Sequence, residues 1–147
     1  MQQLLAYLII LQLNFQDGWR TNFDQSLADA KTSHKLLLLK FSGSDWCIPC
    51  IRMDKEIFAD TSFKTFSDSR LVLVYADFPR KSRNKLSADL KKQNEMLATK
   101  YNPAGKFPFT ILMNGEGKIL RSWDGYPDGG KAAFLESVQK IDHDYHR

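Results

Sequence analysis

The chain has 147 residues, 43% hydrophobic and 26% charged, which is material for one ordinary globular domain with its own core. The net charge is only +4, and the richest basic stretch, Arg80-Lys81-Ser82-Arg83-Asn84-Lys85, has no aromatic residues interleaved. That stretch reads as a solvated loop, and no nucleic-acid partner is expected. No repeat, low-complexity segment or second domain is visible.

In chain order, Leu4-Leu5-Ala6-Tyr7-Leu8-Ile9-Ile10-Leu11-Gln12-Leu13 comes first, an apolar run of ten with one glutamine in it. It is too short for a bilayer, which takes about 20 residues, but it fits the apolar region of a secretory signal. No Lys or Arg precedes it, no small-x-small cleavage site follows, and the lack of a following cysteine rules out a lipid anchor at that point. Residues 1–16 are therefore expected to be a signal peptide or an N-terminal apolar segment, and 17–147 the domain. Export is the expectation, with no stable membrane insertion of the mature domain. Cytoplasmic residence is the alternative if the segment is retained and packs on the domain.

Asn22 or Asp24 can cap a short helix whose apolar face is Phe23, Leu27 and Ala30. Lys35-Leu36-Leu37-Leu38-Leu39-Lys40-Phe41 reads as a buried strand. A helix to about residue 58 follows, with Ile51, Met53, Ile57 and Phe58 at helical spacing. Thr61–Phe66 reads as a short helical turn, and Leu71–Ala76 as a strand covered on both faces. From Lys85 to Tyr101 the spacing of Leu86, Leu90, Leu97 and Tyr101 predicts a long amphipathic helix, ended by Asn102-Pro103. Strands Phe109–Met113 and Lys118–Trp123 flank the turn Asn114-Gly115-Glu116-Gly117, a hairpin signal. Gly129-Gly130 opens a last helix with Ala133, Phe134, Val138 and Ile141 inward. The order αβαβαββα predicts an α/β fold, a central mixed sheet with helices on both faces.

The chemistry is concentrated in Trp46-Cys47-Ile48-Pro49-Cys50, which holds the only two cysteines of the chain. A strand delivers them to the start of a helix, where unpaired N–H groups and the positive end of the dipole favour an anion, so Cys47 should ionise more readily than a free thiol. Cys50 lies one turn on, on the same face. A structural zinc site needs four ligands, and His34, His143 and His146 have no ligand spacing, so no metal is expected. An inert disulfide would close a tiny loop with little entropic gain, and buried structural thiols leave the flanking Trp and Pro without a purpose. The pair reads as a redox centre.

With those residues in view, the chain resembles the thioredoxin superfamily, and more closely exported bacterial thioredoxin-like proteins of the disulfide-reductase type, including the DsbH-like group. The resemblance covers about residues 19–142. It rests on Phe41-Ser42-Gly43-Ser44-Asp45-Trp46-Cys47-Ile48-Pro49-Cys50, Asp77-Phe78-Pro79, Lys92-Gln93-Asn94-Glu95 with Lys100-Tyr101, Phe107-Pro108-Phe109-Thr110, and Gly125-Tyr126 before Gly129-Gly130. It implies a thioredoxin fold and thiol–disulfide exchange on protein substrates, with bacterial periplasm as the expected location. It also implies that Pro108 is a cis-proline facing the cysteines, whose backbone neighbours would pair with an extended substrate. Gly125 would form the third side of that groove, and Phe107, Phe109 and Tyr126 an apolar rim; for Phe109 ordinary core packing is the stronger expectation.

On this reading Cys47 attacks a substrate disulfide and Cys50 resolves the mixed disulfide. Trp46 is either an apolar lid beside the sulfurs or packing against the sheet end, and Ile48 and Pro49 join it as substrate-facing residues. Pro49 has a fixed φ and lacks an N–H that would be unpaired in the first turn anyway. Many thioredoxins carry a buried Asp on the preceding strand; here Lys40 or Phe41 stands there. An inward Lys40 would favour the thiolate, whereas an outward one would leave proton transfer to water or Asp45. Ile48-Pro49 lacks the histidine of strongly oxidising pairs, which favours a reductase over an oxidase or isomerase. A non-catalytic peptide-binding module is the alternative of another class. A monomer with no cofactor is expected, with protein or peptide disulfides as substrates and an upstream dithiol as reductant.

Overall fold

The computed structural model describes residues 18–147, so the expected N-terminal segment, residues 1–16, lies outside the described residues. At its centre β2 (Leu36–Ser42) is buried at every position, as a continuous apolar run covered on both faces requires. β3 (Leu71–Asp77) runs parallel to it, in register from Leu36 against Leu71 to Ser42 against Asp77. On the other side β4 (Phe109–Met113) is antiparallel to β2, and β5 (Ile119–Asp124) antiparallel to β4. A two-residue strand not foreseen from sequence, β1 (Trp19–Arg20), lies parallel to the outer edge of β3, giving the order β1-β3-β2-β4-β5. Two residues are too few to show alternation.

Side-chain alternation splits the core in two. Leu36, Leu38, Leu71 and Leu73 face Met53, Ile57, Phe58, Phe63, Phe134 and Val138. These come from α2 (Ile48–Met53, continuing through a π-helical turn, Asp54–Phe58), α3 (Thr61–Arg70) and α5 (Gly130–Tyr145). Leu37, Leu39, Phe41, Val72 and Val74 face Phe23, Ala30 and Leu97, carried by α1 (Phe23–Ser33) and α4 (Ala88–Tyr101). Each large apolar side chain buried this way contributes roughly 1.5–3 kcal/mol relative to exposure.

Three boundaries differ from expectation for local reasons. Asn22, not Asp24, caps α1: its side-chain oxygen accepts the Gln25 N–H at 3.0 Å, while Asp24 sits in the first turn. α3 runs on to Arg70 because buried Ser67 continues its inner face after the apolar pattern stops. α4 begins at Ala88, where the Ser87 hydroxyl accepts the Leu90 N–H at 3.3 Å. Lys85 and Leu86 thus belong to the preceding loop, which contains a 3₁₀ turn, Ser82–Asn84.

Candidate active site

Where β2 ends, the Gly43 carbonyl accepts the N–H groups of Trp46 (3.3 Å) and Cys47 (2.9 Å), turning the chain sharply into α2. Cys47 is the N-cap, in extended backbone, and its Sγ accepts the Cys50 N–H at 3.3 Å. A disulfide joins Cys47 and Cys50, with Cα atoms 5.2 Å apart. Pro49 occupies the first turn, where its missing N–H leaves no acceptor unfilled. Cys47 is not at an exposed edge in this oxidised form: it is 4% exposed and Cys50 2%, whereas Ile48 between them is 74% exposed. Position at the cap, rather than exposure, distinguishes the two sulfurs.

Trp46 is packed against the sheet end. Its indole lies so close over Gly43 that a Cβ there would come within 2.6 Å of Nε1, and closer to two ring carbons. The indole N–H donates to the Phe78 carbonyl at 2.7 Å, Phe107 meets the ring edge-on at 5.4 Å, and the Arg80 guanidinium lies 3.7 Å from its centroid. Phe107 also meets Phe78, at 5.4 Å. The ring is half-buried and fixed on several sides.

Two carboxylates brace this corner, and sequence reasoning found neither function. Asp77 accepts the Ser44 N–H (3.0 Å), the Ser44 hydroxyl (2.6 Å) and the Phe78 N–H (2.9 Å), tying the cysteine loop to the end of β3. The Asn94 amide on α4 donates to the Asp77 carbonyl at 3.0 Å. Asp45 accepts the N–H groups of Arg80 (2.9 Å) and Lys81 (3.0 Å) and the Asn84 amide (2.9 Å). These donors, the Arg80 N–H foremost, pull the Asp45 pKa down to about 2. Asp45 thus anchors the loop to the cysteine turn.

Lys40 points inward. It is 6% exposed and shares a sheet face with Leu36, Leu38 and, across the strand pair, Tyr75. Its ammonium lies 4.1 Å from the ring centroid of Trp19, 4.4 Å from Tyr75 and 4.9 Å from Phe58, and donates to Asp54 at 2.7 Å. Asp54 is one helical turn beyond Cys50, so a charged pair sits between the sheet and the cysteine helix. Burial raises the Tyr75 pKa, with the Ser44 hydroxyl acting the other way and the charges of Asp77 and Asp54 adding to the rise. The signal in the sequence is Lys40 itself, a lysine inside a leucine strand; nothing there points to Asp54 as its partner.

The Phe107–Pro108 peptide is cis, and Pro108 is buried. Phe41 pairs with Phe109, so Pro108 falls at the end of β2, where the chain leaves for the cysteines. The Pro108 carbonyl accepts the Gly125 N–H at 2.9 Å, and Gly125 has φ +80, a conformation suited to glycine, with open space where a Cβ would be. Tyr126 turns the other way, onto α2: its hydroxyl donates to Glu56, and the Arg52 guanidinium stacks 4.1 Å from its ring centroid. The Tyr126 hydrogen bond, with Arg52 second, lowers the Glu56 pKa, and the same bond raises that of Tyr126. The rim is therefore less apolar on this side than expected.

The sequence profile of the thioredoxin-like domain matches residues 23–139. The chain belongs to the thioredoxin-like family. The disulfide bond reductase DsbH of Chlamydia pneumoniae is 35% identical over 118 residues, 80% of this chain and 69% of that protein. A solved DsbH oxidoreductase structure superposes with a TM-score of 0.76 at 33% identity, covering 85% of this chain and 83% of the other. A thioredoxin from Thermus thermophilus shares the fold, with a TM-score of 0.63 at 16% identity over 84% and 85% of the two chains. Carrying a Cys-x-x-Cys pair on this fold, the protein is a thiol–disulfide oxidoreductase.

Proposed function

We propose that the protein is an exported reductase of protein disulfides in which Cys47 is the nucleophile and Cys50 the resolving thiol. The observation that carries the assignment is Cys47 at the helix cap, its Sγ accepting the Cys50 N–H at 3.3 Å. In the dithiol form that donor and the helix end hold negative charge on Cys47. Lys40 adds little to this field, because Asp54 neutralises it at 2.7 Å.

The Cys47 thiolate attacks one sulfur of a substrate disulfide, and the substrate's other sulfur leaves as a thiolate and takes a proton. Cys50 then loses its proton and attacks Cys47 Sγ, so the second substrate thiol departs and two electrons have passed from the pair to the substrate. The Cys47–Cys50 disulfide is reset by an upstream dithiol of the same chemical class. An extended substrate segment would pair with backbone beside Pro108, between Trp46 and Gly125, with the exposed Ile48 against its side chains. Reduction, rather than oxidation, is supported by the DsbH relative and by the absence of a histidine between the cysteines. Export to the periplasm is supported by the apolar run at residues 4–13, which fits a secretory signal.

Trapping tests the roles. Incubated with a protein disulfide, Cys50→Ser should accumulate a mixed disulfide through Cys47, whereas Cys47→Ser should form none, and both should lose turnover. Binding of peptide by Cys47→Ser at full affinity, with no turnover by the unmodified protein, would make this a binding module.

A further inference from the structure

The loop between β3 and α4 carries Arg80, Lys81, Arg83 and Lys85, all exposed, with no acidic residue among positions 79–87. None of the four is ion-paired within 4 Å among the described residues, unlike Arg52, Arg70, Lys106, Lys131 and Lys140 elsewhere on the surface. Of the acids closest to the loop, Asp45 is held by the Arg80 and Lys81 N–H groups, Asp77 by Ser44, and Glu95 by Lys91 at 3.9 Å, so none is ion-paired to the loop's side chains.

Two contacts tie this charge to the redox centre. Asp45, two residues before Cys47, holds the loop backbone in place, and Arg80 stacks at 3.7 Å on Trp46, the residue before Cys47. The cations therefore begin on the side chain of the residue that precedes Cys47 in the chain. Alongside them runs a cleft of about 270 Å³ whose lining joins Phe78, Pro79 and Leu86 to the cations Arg80, Lys81, Lys85 and Lys91, with Asp77 and Glu95 as its two acids. A positive field over a low-dielectric wall concentrates anionic partners and orients them on encounter.

We propose that this loop is the specificity element for substrates whose cystine is flanked by an acidic segment, which would lie along the Arg80–Lys85 edge while its disulfide meets Cys47. The proposal rests on the disulfide-exchange reading above and assigns that site a substrate class. Its test is kcat/KM for reduction of peptide disulfides of one length, flanked by Asp/Glu, Ser/Gln or Lys/Arg, by the intact protein and by K81Q/R83Q/K85Q. The readout is the acidic-to-neutral ratio, which cancels any general loss in the variant. We expect the intact protein to favour the acidic peptide over the neutral one by about tenfold at low salt, with the ratio falling toward unity in high salt and in the variant. A charge-reversed K81E/R83E/K85E should prefer the basic peptide.

A ratio near unity with normal turnover of the neutral peptide would overturn the proposal and leave the reductase reading standing. An acidic preference unchanged in both variants would overturn the assignment to this loop. No turnover of any peptide would remove the reductase reading, and the proposal with it.

Discussion

An ammonium between Leu39 and Phe41, 6% exposed, must be matched by charge from elsewhere in the chain. Asp54 does this, and the asymmetry of the pair sets what substitution does: the Lys40 side chain is 7% exposed and that of Asp54 36%. Asp54→Ala removes the carboxylate that the buried ammonium donates to at 2.7 Å and should cost about 1–3 kcal/mol, the range for a weakened buried polar pairing. Lys40→Met leaves a carboxylate that reaches water, and should cost about 1 kcal/mol or less. The double variant Lys40→Met/Asp54→Ala should be more stable than Asp54→Ala alone. Urea unfolding of the four oxidised proteins measures this; additive losses would mean that the two groups are not coupled. Lys40 was visible in the sequence as an odd residue in a leucine strand. Its partner was not, because spacing from Cys50 fixes a helix face and not the strand residue that the face meets.

At the scale of elements, the last helix is docked by its end. Both ring nitrogens of His146, the C-cap of α5, face carbonyl oxygens: Nδ1 that of Asp142 and Nε2 that of His34, each at 2.7 Å. Two acceptors favour two donors, so the His34 carbonyl first, then that of Asp142, raise the His146 pKa above its ordinary 6.5, with desolvation and then Arg70 opposing. A raised folded-state pKa means that the protonated ring stabilises the fold fully below pH 6.5, and that this contribution fades as pH rises through the raised value. We expect about 0.3–1 kcal/mol, the usual worth of a cation at a helix C-terminus. Urea midpoints of the protein and His146→Gln, taken from pH 5.5 to 8.5, should converge as pH rises; a gap independent of pH would contradict the assignment. The elements themselves were largely legible, because β2, β3 and the hairpin carry continuous apolar runs or turn residues. The loop at 79–87 was not: Leu86 continues the helical pattern of α4, and only the Ser87 cap and the long-range hold of Asp45 stop the helix there.

For the whole molecule, the sheet brings the ends of β2, β3 and β4 together at one corner, and the cysteine loop, the Asp77 brace and cis-Pro108 meet there. The sequence order of these motifs made the fold and the cysteine pair readable. The half-buried fixing of Trp46 and the turn of Tyr126 toward α2 were not readable, since both depend on side chains brought from distant segments. The central claim is that electrons leave the Cys47–Cys50 pair for substrate disulfides. Equilibrating the protein against defined glutathione or dithiothreitol buffers and following the fraction oxidised tests it most directly. We expect a single two-electron transition near thioredoxin's value, roughly −270 mV. A value near −120 mV, that of a strong oxidant, would contradict the reductase and make the protein an oxidant of other proteins' thiols.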